Sequence, residues 1–172
     1  ASQAATFAGE FWDAHFNNIG SVISYITTTQ PVADLTFEST AIDYPNGSTT
    51  YVSDSTLLST FLGADAGTLS GSGAIDLTGS VFRFTGYLDL AAGAHTFSVG
   101  SDDGFRLIVN GVELGSANDR GFGVSNMTAT VAAGLSTFEL VYYENGGLTG
   151  VEFKVDGSYA VPAAAVPLPA GL

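Results

Sequence analysis

The stretch from 81 to 111, VFRFTGYLDLAAGAHTFSVGSDDGFRLIVNG, decides the fold class. Val81 to Leu88 alternates, with Phe82 and Phe84 on one face and Arg83 and Thr85 on the other, which is the period of a half-buried strand. Ala91-Ala92-Gly93-Ala94 turns the chain, and Phe97 and Val99 define the next strand. Gly100-Ser101-Asp102-Asp103-Gly104 interrupts, Phe105 to Val109 resumes the alternation, and Asn110-Gly111 is a strong two-residue hairpin signal because both residues accept positive φ.

Further along, Thr137 to Tyr143 and Val151 to Val155 read as strands separated by Glu144-Asn145-Gly146-Gly147-Leu148-Thr149-Gly150. Short strands at this spacing, with no helical period between them, predict an all-β chain folded as an antiparallel β-sandwich or barrel. The expected core is Trp12, Phe82, Phe84, Phe97, Val99, Leu107, Val109, Phe138, Leu140, Phe153 and Val155.

The N-terminal half predicts two short helices. Ile19, Val22, Ile23 and Ile26 share one helical face, ended by Gln30-Pro31. Ser53 to Thr56 offers N-cap residues ahead of an apolar segment that stops at Gly63. Between the helices Leu35 to Glu38 reads as a strand and Asp43 to Gly47 as a turn. The organisation expected is a single domain over 1–158, followed by an extended, Ala/Pro-rich tail over 159–172 in which Pro162, Pro167 and Pro169 remove amide donors.

Composition narrows the function. In 172 residues there are 17 acids against 4 bases, a net charge of −13. Nucleic acid and anionic membrane surfaces are poor partners for such a chain, since phosphate binding rests on basic clusters. Divalent cations, calcium above all, are favoured. The absence of cysteine removes disulfides, thiolate metal sites and cysteine nucleophiles. No apolar run approaches the roughly 18 residues of a membrane span. Neither His15 nor His95 sits in a metal-ligand spacing, and no nucleophile elbow, P-loop or dinucleotide fingerprint is present, so the chain reads as a non-enzymatic binding module.

Asp102-Asp103 stands out as two adjacent acids between strongly apolar strands. Like charges side by side repel, and a hard cation relieves that repulsion. Successive side chains normally point apart, and a cis peptide would turn them toward one ion. Calcium takes about six to eight oxygens, more than two aspartates supply. The second loop offers the rest, an amide oxygen from Asn145 and unhindered carbonyls at Gly146 and Gly147. The same residues are also ordinary turn chemistry, so this pattern alone leaves both readings open.

Phe84 to Leu88, then Gly93 to Gly111, then Tyr142-Tyr143-Glu144-Asn145-Gly146-Gly147, resemble the protective-antigen-fourteen domain family over about Thr6 to Asp156. The resemblance implies a β-sandwich of the kind used in bacterial toxins, glycosidases and adhesins. It implies that Asp102 and Asp103 join through a cis peptide and hold Ca2+ with Asn145, Gly146 and Gly147. It also implies that the ion's remaining positions take sugar hydroxyls, with Asn145, Leu148 and Thr149 facing the ligand. The implied partner is a glycan or polysaccharide bound in a lectin-like manner. Val166-Pro167-Leu168-Pro169-Ala170 resembles the opening of VPLPA-type sorting signals of Gram-negative bacteria, and Ala1 to Thr6 has the small-residue register found after signal cleavage. Together they imply a secreted or cell-surface protein that meets the membrane only transiently, through a removed or missing carboxy-terminal segment. A second reading is a structural subunit that self-assembles through its termini into a surface layer or filament.

Overall fold

The computed structural model describes residues 4–47 and 49–165. The chain forms β1 (Phe7–Asp13), α1 (Ile19–Ser24), β2 (Leu35–Ser39), β3 (Asp43–Tyr44), β4 (Val52–Ser53) and α2 (Leu58–Leu62). After these come β5 (Ser80–Leu90), β6 (Gly93–Asp102), β7 (Gly104–Val109), β8 (Val112–Ala117), β9 (Gly123–Val131), β10 (Gly134–Glu144), β11 (Leu148–Val155) and β12 (Ser158–Tyr159). One antiparallel sheet runs β2-β1-β5-β10-β7-β8 and the other β12-β11-β6-β9. The free edge of β11 is covered in succession by β4 at Leu148 and Thr149, β3 at Val151 and Glu152, and β12 at Lys154 and Val155. The expected β-sandwich with two short helices in its first half is what forms.

The two inner faces meet in one core that includes Phe82, Phe84, Phe97, Val99, Leu107, Phe138, Leu140 and Phe153. Trp12 is buried as expected, but in a second cluster outside the inter-sheet core. Phe7, Gly9 and Phe11 take the inward positions of β1, which turns Trp12 to the outer face. There it is covered by Val22 and Ile26 and packs with Val81, Val141 and Tyr143. Asn18 caps α1 by accepting from Ser21 N at 2.8 Å, and the helix runs on as a π-helical turn over Tyr25–Thr29. With so few turns, its stability comes from this packing rather than from propensity.

The second helix is not capped as its sequence suggested. Its N-cap position is Leu57, without a side-chain bond, because Ser53 and Ser55 pair with each other and Asp54 is drawn to Gly147. The Asn110-Gly111 hairpin forms as expected, with φ of 50° and 79°. The chain from Tyr159 to Ala163 is held against the sandwich: β12 pairs with β11, and Ala163 N donates to the Tyr87 carbonyl at 3.0 Å. The Val166 to Ala170 motif lies outside the described residues.

One end of the sandwich collects three crossings between the sheets. The chain passes from β6 to β7 at Asp103, from β8 to β9 through 118–122, and from β10 to β11 through 145–147. Register puts Asp102 opposite Gly150 and Tyr143 opposite Gly104, so the three loops are neighbours. Gly104 is held between the Ala117 carbonyl and the Tyr143 ring with no room for a Cβ, which places the Asp102-Asp103 turn against β10.

Candidate metal centre

The crossing at Asp102-Asp103 is made through a cis peptide bond. Local hydrogen bonds occupy its backbone. Tyr142 Oη donates to the Asp102 carbonyl at 2.5 Å, Ser101 Oγ donates to the Asp103 carbonyl at 2.8 Å, and Asp103 N donates to the Tyr143 carbonyl at 3.2 Å. The two carboxylates, only 5% and 7% exposed, are left to converge on a third, Glu144. One ligand oxygen from each of the three lies within 4.8 Å of the others.

Glu144 is fully buried, and neither of its carboxylate oxygens has a hydrogen-bond partner. An ionised carboxylate only accepts, so such a group is costly unless a proton or a cation meets it. Burial, and then the charges of Asp103, Asp102, Asp54 and Asp119, push Glu144 up to about 9. Burial and the neighbouring Asp103 charge push Asp102 up to about 6, against the pull of the Phe122 amide and Arg120. Burial also raises Asp103, partly offset by the amides of the second loop. Asp103 Oδ2 accepts from Asn145 N at 2.8 Å and Gly146 N at 3.4 Å.

Among the described residues, no cationic side chain forms an ion pair with these three acids. Arg120 is adjacent, but its donors go to Ser125 Oγ, Ser101 Oγ and the Val99 carbonyl, and its guanidinium lies 5.2 Å from the centre of the Phe105 ring. An all-oxygen donor set with three negative charges and orphaned acceptor atoms fits a hard divalent cation of the calcium type.

The residues singled out from sequence fall into two groups. Asp102 and Asp103 come together. The second loop meets them through the Asn145 and Gly146 amides, while the Asn145 side chain is engaged elsewhere: Asn145 Oδ1 contacts the His15 ring, and Asn145 Nδ2 donates to Asp119 at 2.6 Å. Gly147 exchanges two hydrogen bonds with Asp54, whose Oδ2 accepts from Gly147 N and whose N donates to the Gly147 carbonyl, each at 2.9 Å. Leu148 is exposed at the rim, whereas Thr149 is buried with its hydroxyl 2.7 Å from Tyr142 Oη. Glu144 was not foreseen as part of the donor set, although β10 signals it. Phe138, Leu140 and Tyr142 face inward at every second position, and the next inward residue is an acid. A cleft of about 290 Å³ lined by His15, Phe16, Asn17, Ser21 and Asn145 opens beside the second loop.

No protein-family model and no curated protein matches this sequence. Solved structures do. A PA14 sugar-binding domain from an RTX adhesin superposes with a TM-score of 0.75 at 25% identity, over 94% of this chain and 100% of its own. The PA14 domain of the MpAFP antifreeze protein gives 0.76 at 28% identity, over 94% and 89%. The epithelial adhesin 6 A domain of Candida glabrata, crystallised with Galβ1-3GlcNAc, shares the fold at a TM-score of 0.62 and 13% identity, over 94% and 86%. The chain has a PA14-like antiparallel β-sandwich fold.

Proposed function

We propose that this protein is a calcium-dependent glycan-binding module of the adhesin type, without catalytic activity of its own. The observation that carries the reading is Glu144, a buried carboxylate with no partner aimed at the Asp102-Asp103 pair. Calcium would be held by Asp102, Asp103 and Glu144, with further oxygens from Asn145, Gly146 and Gly147 once the second loop releases its contacts with His15 and Asp54. What the ion supplies is a Lewis-acidic anchor for vicinal hydroxyls, since it takes about six to eight oxygens and three side chains leave positions open. Asn145 and Leu148 stand at the rim where a ligand would approach. A sugar-binding PA14 domain and a glycan-bound adhesin domain of the same fold support a carbohydrate as the partner. Secretion to the surface of a Gram-negative cell is the setting that suits such a module and the Val166 to Ala170 motif.

The test is calorimetry with calcium, followed by glycan binding with and without chelator. Asp103→Asn keeps the side chain's shape and removes one charge. Calcium affinity should fall by about 100-fold or more, because ligand charge tunes such sites, and glycan binding should vanish with it. Absence of calcium heat at millimolar concentration, or an unchanged affinity in the variant, overturns the reading.

A further inference from the structure

Three of the sandwich's sheet edges are closed or blunted, and the fourth is open. Along β2, Thr36 N and Glu38 N donate to Ser70 Oγ and Thr68 Oγ1, each at 2.9 Å, and the Thr36 carbonyl accepts from Ser70 N. β11 is covered by β4, β3 and β12. β8 runs for only 6 residues, carries Glu113 and lies against a register shift at Leu107/Ile108. Short length, charge and bulges are the usual protections of an edge. β9 has none of them: it runs for 9 residues without a charge or a proline, in unbroken register with β6.

The direction of its free peptide groups follows from β6. The Thr96 carbonyl accepts from Asp156 N, on the β11 side, so Thr96, Ser98 and Gly100 turn their peptide groups that way. The intervening Phe97, Val99 and Ser101 turn theirs to β9, where they meet Met127, Ser125 and Gly123. Val124, Asn126, Thr128 and Thr130 are left with N–H and C=O pointing away from the sheet, and no described residue bonds them. All four are exposed, Val124 by 56%.

Such a row of donors and acceptors complements itself when a second strand runs antiparallel to it. Registered about Met127, the pairing sets Val124 against Thr130 of the second copy and Asn126 against its Thr128, so that all four residues find partners. Ser98 Oγ bonds Asn126 Oδ1 at 2.6 Å, which leaves the Asn126 amide free to donate to the facing threonine hydroxyl. Charge favours the same occupant. Two chains of −13 repel, and they meet at least cost where neither carries charge. A basic peptide, the general partner for so acidic a chain, finds no acid on β9 to answer it.

We propose that β9 pairs with β9 of a second copy about a two-fold axis, continuing the second sheet across a dimer. β9 starts beside the carboxylate site, since Gly123 is the register partner of Ser101. The two sites therefore fall at opposite ends of the paired strands, about 30 Å apart, and the dimer presents them in opposite directions.

One strand pair is a small interface, so sedimentation equilibrium of the native protein should pass from monomer near about 10 μM toward dimer at about 1 mM. Calcium and chelator should give the same result. Thr128→Pro removes an outward N–H, spares the bonds to β6 and should leave a monomer throughout. Asn126→Asp brings two carboxylates diagonally together across the axis and should weaken association by about 10-fold. Adding Thr128→Lys should restore it, because each lysine then faces an aspartate of the other copy. Thermal melts of the three variants should match the native protein in dilute solution. A native protein that stays monomeric to about 1 mM overturns the pairing, as does association that requires calcium or survives both Thr128→Pro and Asn126→Asp.

Discussion

Asp65 and Glu144 are both buried acids of this sandwich, and their surroundings are opposite. Asp65, in the 3-10 turn after α2, accepts from Thr40 N at 3.2 Å, Thr40 Oγ1 at 2.9 Å and Tyr44 Oη at 2.6 Å. Every donor there comes from the protein. Glu144 accepts nothing and faces two more carboxylates. The same side-chain chemistry serves structure in the first place, where the negative charge is answered internally. In the second the charge is left to be answered from outside. A buried acid therefore points to a ligand by what it lacks, and burial by itself does not separate the two cases.

The contrast has measurable consequences. Asp65→Ala should cost the most, about 3–5 kcal/mol, because it removes three hydrogen bonds to a buried carboxylate, from Tyr44 Oη and from the amide and hydroxyl of Thr40. For a chain of this length that is a drop in Tm of about 10 °C, the same with calcium or chelator. A loss seen only with calcium would place Asp65 in the ion's support and break the contrast.

Glu144→Gln should act with the reverse sign. Calcium affinity should fall by about 100-fold, while the chelated protein should hold or gain stability because the cost of keeping a buried carboxyl protonated above its unfolded value has gone. The pH dependence follows from the raised value. Above about 4.5 the unfolded chain releases the Glu144 proton, and the folded chain keeps it until about 9. The folded state then binds more protons, so chelated native protein should lose stability as pH rises between those limits, by about 3 kcal/mol over two pH units. In Glu144→Gln that slope should flatten, and calcium should reverse it in the native protein. A melting series in chelator that rises from pH 5 to pH 8 contradicts this account.

The smallest effect belongs to a third carboxylate, at the opposite end of the sandwich. Asp156 accepts from Thr96 N at 2.9 Å and lies 2.6 Å from His95 Nδ1, which lowers its own value, while the Ala91 carbonyl and Asp156 raise His95. The aspartate's contribution is present above its unfolded value near 3.8 and is lost as pH falls through the lower folded one. The histidine's is complete below 6.5 and is lost as pH rises through the folded value above it. His95→Ala should therefore produce a small, salt-sensitive loss between those limits and none at pH 9. An equal loss at pH 9 would mean that packing, not charge, is what His95 supplies.

Much of the architecture was legible because period-two alternation survives in single sequences. Val81 to Val109 carried three strands and the Asn110-Gly111 turn, and the helical face at Ile19 to Ile26 carried α1. The strands that escaped are those whose alternation is diluted. β1 places Gly9 at an inward position and Trp12 outside, and β9 alternates small polar residues with Met127 and Ala129. At the carboxylate site the adjacent aspartates were conspicuous, being charges where the pattern breaks. Glu144 was less so, because it ends a strand and reads as the first residue of a loop.

Taken alone, the sequence determined that this chain builds a β-sandwich and that its acids far outnumber its bases. Both are local matters of period, turn residues and charge count, which need no knowledge of what lies across the molecule. Tertiary structure decided which three of 17 acids meet. That choice depends on β6 and β10 delivering their ends to one corner from different sheets, and on Gly104 permitting the approach. It decided, too, that Asp65 is answered and Glu144 is not, since a hydrogen-bond partner 21 or 25 residues away in the chain leaves no mark on the residues beside it.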